Sequence, residues 1–214
     1  MLHNHHFRSY GSLVKGWLAG IVLLVSLTQA NAQYVNDRIV WSDRKLTAKD
    51  FKQRFDTSMI KDEPRAVAHI STTIWFDYKE TDKKELIFDV YAYFNPDFSW
   101  VKPGFRHDGQ VMNHERFHFN LAELYARKVR KLLSTYTFNP DTYKVQIAAF
   151  QKKFSDEMRA QQKRYDEETV HGTKVHTQAD WEDAIKRELE ELDTYRKEKH
   201  MRPNRSLMNA TAQN

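Results

Sequence analysis

The stretch from Asp108 to Tyr136, DGQVMNHERFHFNLAELYARKVRKLLSTY, contains no proline and no glycine after Gly109. A run of that length without a breaker constrains the chain more than any other segment. Val111, Phe117, Leu121, Leu124, Val129 and Leu132 recur at close to helical spacing, which predicts a long helix with one apolar stripe turned to a core. The same helix carries His114, Glu115 and His118, the pattern His-Glu-x-x-His. Residues four apart lie on one face of a helix, one turn above the other, so the two imidazoles can meet a single ion.

Two further helices are expected downstream. One starts near Pro140 and stops at Gly172, with proline at its beginning and glycine at its end as helices prefer. The other starts from a cap at Thr177 or Asp180 and runs to His200. Upstream, Ala66–Glu80 and Lys84–Lys102 are rich in β-branched and aromatic residues, and the charged segment KETDKKE lies between them. That pattern predicts an antiparallel pair of strands, interrupted at Pro96 and Pro103. Thr47, with Asp50 three residues on, predicts a short capped helix. The expected fold is α+β: a small antiparallel sheet in the N-terminal half, then a helical half bearing the metal-binding helix, a zincin-like arrangement.

The first 32 residues stand apart. Arg8 and Lys15 precede an apolar run from Trp17 to Leu27, and Ala30 and Ala32 follow it in a small-x-small arrangement. This is the pattern of a secretory signal peptide cleaved before Gln33. The apolar run is far shorter than the roughly 20 residues that a membrane span needs. The expected domains are a signal peptide at 1–32, one domain at 33–202 and a disordered tail at 203–214. The 214-residue chain has 34 Lys and Arg against 29 Asp and Glu. The leader holds two of those basic residues and no acid, so the remainder carries a net charge of +3. A mild excess spread among acids is not the clustered footprint of a nucleic-acid binder. No second long apolar run follows, so no membrane span is expected after cleavage. The chain has no cysteine. Disulfides and thiolate-rich structural zinc sites are therefore excluded, and any metal site must use His, Asp or Glu.

In a zinc site of this pattern the glutamate beside the first histidine faces the open side of the ion and takes a proton from water there. Arg116, between Glu115 and His118, must then point away from the ion. A third ligand is needed from another element. The histidines His69, His107, His171, His176 and His200 and several acids are available, and Leu124 occupies the place of a third histidine six residues after His118. If the first two long helices form an antiparallel hairpin, His118 lies about 20 residues, or ~30 Å, before the turn. That estimate favours residues 158–168, where Glu157, Glu167 and Glu168 stand at or near the segment. His171 overshoots by roughly a dozen residues, yet imidazole is the commonest metal ligand and Gly172 permits a sharp turn. His171 is the preferred third ligand. Tyr165 and His176, which flank it, are candidates to stabilise an oxyanion. The strand Val90–Phe94 is a candidate edge for an extended peptide.

The blocks IVWSDRKLTAKDF, AVAHISTTI, VYAYFNPDFSWVK, NHERFHFNLAELYARKVRKLL, YDEETVHG and QADWEDAI, in that order, resemble a bacterial domain-of-unknown-function family of predicted secreted zinc-dependent proteases. The resemblance extends from Ile39 to Leu192. It implies zinc held by His114, His118 and His171, with Glu115 as base. The family commonly has Asp two residues after the second motif histidine, where this chain has Asn120; if that residue orients a bound imidazole, Asn120 keeps one acceptor but lacks the charge.

Pattern and resemblance together lead to an exported zinc metallohydrolase, periplasmic or secreted, acting as a peptidase on peptide or protein substrates. The rival is a non-catalytic envelope domain with a structural metal or none, acting through partner binding. Its support lies in the long charged helical segments KKFSDEMRAQQKRYDEE and KRELEELDTYRKEK, which also fit an ordinary solvated face.

Overall fold

The computed structural model describes residues 38–197 and the backbone of 204–207. The expected signal peptide lies outside the described residues. The architecture is α+β, as the sequence pattern requires. Strands β1 (Ile39–Val40), β2 (Ala68–His69), β3 (Thr72–Glu80), β4 (Glu85–Phe94) and β5 (Trp100–Val101) precede three helices, α1 (Gly109–Thr135), α2 (Tyr143–Thr169) and α3 (Val175–Glu191). A last strand, β6 (Asn204–Leu207), follows.

The β3–β4 hairpin is the one predicted, turning at Thr81–Lys84, where Lys84 takes a left-handed φ of 62°. β4 alternates strictly: Leu86, Phe88, Val90, Ala92 and Phe94 are buried, and the residues between them face outward. β4 is the centre of its sheet. β3 pairs along one side, while β1 and β6 share the other. Two expectations change here. The segment 203–214 was expected to be disordered, but Asn204–Leu207 pairs with Glu85–Phe88, satisfying backbone groups that an edge would leave open. The edge of Val90–Phe94 is not available to a peptide, because β3 takes one side and β1, with Trp41 N–H donating to Ala92 O at 3.0 Å, takes the other.

Pro96 and Pro103 each open a 3-10 turn, at Pro96–Phe98 and Pro103–Phe105, on either side of β5. The expected short helix after Thr47 is a 3-10 turn, Ala48–Asp50, and the Asp50 carboxylate accepts from Thr47 N–H at 2.8 Å. β5 pairs with β2 in a separate two-stranded ladder beside the main sheet.

α1 is the central helix. Asp108 caps it by accepting from the N–H groups of Gln110 and Val111. From His114 to Arg127 every residue except Arg116 is buried. One side of α1, with Phe119, Ala122, Ala126, Val129 and Leu133, packs on the inward residues of β4. The other, with Phe117, Leu121 and Leu124, packs with Tyr165, Ile185 and Leu189 of α2 and α3. A single stripe was expected; there are two, because helices cover the face that a surface helix would leave to water. Buried charges cross between these layers. Glu123 Oε1 accepts from Arg127 Nε at 2.9 Å and Arg130 Nη2 at 2.6 Å. Arg127 also donates to Leu189 O, and Arg130 to Val90 O and Tyr195 O. α3 begins at Val175, ahead of the expected caps at Thr177 and Asp180, because Gln178 N–H already closes a turn onto Lys174 O.

Candidate metal centre

The first turns of α1 meet the last turns of α2. His114 and His118 face α2, and their Nε2 atoms are 3.2 Å apart. Asp166 of α2 brings Oδ1 to 3.0 Å from His114 Nε2 and 2.9 Å from His118 Nε2. His171 Nδ1 lies 3.4 Å from the same oxygen. The donor atoms of His114, Asp166 and His171 all fall within 4.8 Å of one another, a group that could hold a metal ion.

The far side of each motif imidazole is fixed by an amide. Gln178 Oε1 lies 3.1 Å from His114 Nδ1, and Gln162 Oε1 contacts His118 Nδ1. Both amide nitrogens are committed elsewhere. Gln178 Nε2 donates to the Glu182 carboxylate at 2.9 Å and to the Tyr165 hydroxyl; Gln162 Nε2 donates to His118 O at 2.9 Å and to Thr72 Oγ1. The carbonyl ends therefore face the rings, and each Nδ1 must carry its proton to donate to them. In neutral imidazoles this leaves two Nε2 lone pairs converging with the carboxylate oxygen of Asp166. Three such groups about 3 Å apart repel unless a proton or a cation lies among them. Outer partners that fix tautomer and ring orientation are what metal-ligating histidines require. The donor set fits a divalent cation.

Glu115 is buried beside this group. Burial pushes its carboxyl up to about 7, while the neighbouring His114 and His171 pull against the rise and Asp166 adds to it. Burial would also raise Asp166, but the imidazoles of His114, His118 and His171 gathered around it hold it well below the usual carboxylate range. His171 is raised, first by its hydrogen bond with Asp166. The donors and Glu115 line a cleft of about 260 Å³ whose other wall includes Ala68, His69, Ile70 and Thr72. His69 is lowered by the protein packed around it.

That wall is a strand edge. Lys102 N–H donates to Val67 O, His69 stands opposite Trp100, and Ser71 O accepts from Asn95 N–H. Antiparallel alternation turns the backbone groups of Ala68 and Ile70 the other way, toward Glu115 and the cleft. The candidate edge thus lies at 68–72 and not at Val90–Phe94.

The remaining expected residues occupy other places. Tyr165 is fully buried behind the site, stacked on His114 with ring centroids 4.6 Å apart and edge-on to His118 at 4.8 Å. Burial raises its hydroxyl, which donates to His114 O at 3.4 Å. It positions the imidazoles and does not line the cleft. His176 is exposed on the first turn of α3. Asn120 accepts from Trp41 Nε1 at 2.9 Å; two residues past His118, it lies on nearly the opposite side of the helix and contacts no ligand imidazole through that bond. Glu157, Glu167 and Glu168 point outward, paired with Lys153, Lys163 and Arg164.

Asp166, Gln162 and Gln178 were not singled out from sequence. The hairpin estimate did favour residues 158–168, the span that contains both Gln162 and Asp166. Gln162 and Asp166 are also one helical turn apart, the spacing that puts them on a single face. Gly172, at φ 79°, lets the chain pass His114, since a Cβ there would lie 3.0 Å from its ring.

No curated protein and no solved structure matches the chain. Residues 106–172, the segment that carries His114, Glu115, His118, Asp166 and His171, match the model of a family described as a bacterial protein of unknown function (DUF922).

Proposed function

We propose that the protein is a zinc-dependent metallohydrolase with a zincin-like site, exported by its N-terminal segment and acting on extended peptides. The observation that carries this reading is the convergence of the His114 and His118 Nε2 lone pairs on the Asp166 carboxylate, with buried Glu115 beside them. The end of α2 supplies the third donor, since it brings both Asp166 and His171 to the cluster. Donors limited to nitrogen and carboxylate oxygen suit zinc.

A bound zinc ion would activate a water molecule and polarise a substrate carbonyl. Glu115 takes the proton from the attacking water and passes it to the leaving amine. Gln178 and Gln162 keep the two imidazoles in the tautomer that presents Nε2. The strand edge at Ala68–Thr72 can add an extended peptide by main-chain hydrogen bonds, laying its carbonyl along the cleft. The leader pattern at 1–32 supports a periplasmic or secreted location.

The test is elemental analysis of residues 33–214, with hydrolysis of a quenched fluorescent peptide library, for wild type and Glu115→Gln. The expected result is about one zinc per chain in both and a loss of turnover of about 10²–10⁴-fold in the variant, the range for general acid–base catalysis. Zinc with no turnover in the wild type would favour a structural metal in a partner-binding domain. Absence of zinc after zinc is supplied would reject the metal site.

A further inference from the structure

We infer that Asp166, and not His171, is the third protein ligand of the cation, and that His171 is a substrate-facing imidazole steadied by Asp166. This deepens the metallohydrolase reading and rests on it. In a tetrahedral zinc site with bonds of about 2.0–2.1 Å, neighbouring donors are ~3.3–3.4 Å apart. His114 Nε2, His118 Nε2 and Asp166 Oδ1 form a triangle with sides of 3.2, 3.0 and 2.9 Å. A cation entering that triangle needs to spread it by only a few tenths of an ångström. His171 Nδ1 meets the triangle at Asp166 Oδ1, at 3.4 Å.

The supporting backbone points the same way. All three corners stand on long helices, and α2 presents Gln162 and Asp166 one turn apart to the α1 face that bears both histidines. Side chains on packed helices hold coordination geometry more closely than side chains on loops. His171 lies past the end of α2, in a turn where Val170, His171 and Gly172 have φ of 49°, 52° and 79°. A β-branched residue in the left-handed region is costly, and such backbone persists at sites where its neighbours hold it in place. Here His171 N–H donates to Asp166 O at 2.9 Å, and the turn holds Nδ1 toward the Asp166 carboxylate. With Nδ1 so occupied, Nε2 is on the far side of the ring from Asp166. That nitrogen is the one left to meet a substrate oxygen.

The chemistry permits this assignment. Two imidazoles and one carboxylate leave the fourth position of a tetrahedral ion for water, as catalytic sites do. Adding His171 as a fourth protein donor would close it.

The experiment measures zinc affinity by competition with a chromophoric chelator in wild type, Asp166→Asn, Asp166→Ala and His171→Ala. X-ray absorption of the zinc-loaded wild type and His171→Ala counts the imidazoles, and circular dichroism checks that each variant is folded. The expected result is two imidazoles in both proteins, a loss of affinity above 100-fold in Asp166→Ala, and a loss below 10-fold in His171→Ala. Asp166→Asn keeps the shape of the side chain, so its loss reports the missing charge and not misfolding. Three imidazoles in the wild type, or the reverse order of affinities, overturns the assignment and leaves the metallohydrolase reading standing. A wild type that binds no supplied zinc overturns both.

Discussion

Gly172→Ala is the sharpest probe of how the site is packed. Gly172 has φ of +79°, where a residue with a Cβ is disfavoured by roughly 1–2 kcal/mol. The stiffer unfolded chain returns about 0.4–1 kcal/mol of that. The added methyl would lie 3.0 Å from Cβ, Cγ and Nδ1 of His114, so the ring must retreat by several tenths of an ångström. It has little room, being backed by the Tyr165 ring at 4.6 Å and held by Gln178 at 3.1 Å. Overpacking of this kind costs about 1–3 kcal/mol. The sum is about 1–5 kcal/mol, or a fall in Tm of roughly 2–18 °C for a domain of this size. Because the displaced ring carries Nε2 with it, zinc affinity should fall by about 10–100-fold, as when an outer partner is lost. Thermal unfolding of the metal-free protein and chelator competition measure the two effects. Gly104→Ala is the control, since nothing lies within 4 Å of a Cβ there, and it should stay within about 0.5 kcal/mol of wild type. A Gly172→Ala protein that melts and binds zinc like wild type would refute the packing described around His114.

Other consequences can be checked with the same protein. Glu123→Ala removes the buried carboxylate that Arg127 and Arg130 share and should cost about 3–5 kcal/mol in urea unfolding. Gln178→Leu removes the acceptor at His114 Nδ1 and should weaken zinc binding about 10–100-fold; unchanged affinity by chelator competition would show that the amide does not orient the ring. Zinc at 100 times its Kd should stabilise the fold by about 2.7 kcal/mol, reversed by EDTA in a thermal melt. His176→Ala should leave zinc content and Tm unchanged, because that side chain is exposed away from the donors.

Much of this was legible from the residues. The hairpin, the three helices and the His-Glu-x-x-His face follow from periodicity and breakers, which act locally. Asp166 was harder to see for two reasons. An aspartate in the run YDEE is one acid among several, and only the docking of α2 on α1 separates it from Glu167 and Glu168, which pair outward with lysine and arginine. The preference for imidazole put His171 first, while the hairpin length pointed to the turns that bear Asp166, and both residues join the cluster. Sequence proximity carries less than it suggests, because a helix rotates about 100° per residue: Asn120, two residues from His118, turns to Trp41, whereas Tyr165 reaches both imidazoles from behind. β6 was hidden because NRSL has little strand character; its partner β4 supplies the pairing.

The enclosure of α1 bears on how this scaffold could be re-engineered. Between His114 and Arg127, where every residue but Arg116 is buried, a helix packed by a sheet on one side and helices on the other offers almost no position where a side chain can change without disturbing a neighbour. Attempts to alter selectivity by varying that span of α1 should mostly yield misfolded protein. Exposed residues of the cleft wall such as His69 and Arg159 can be randomised while the donors stay in place. A library built there would separate recognition from the metal centre, and the enclosed helix would serve as its fixed frame.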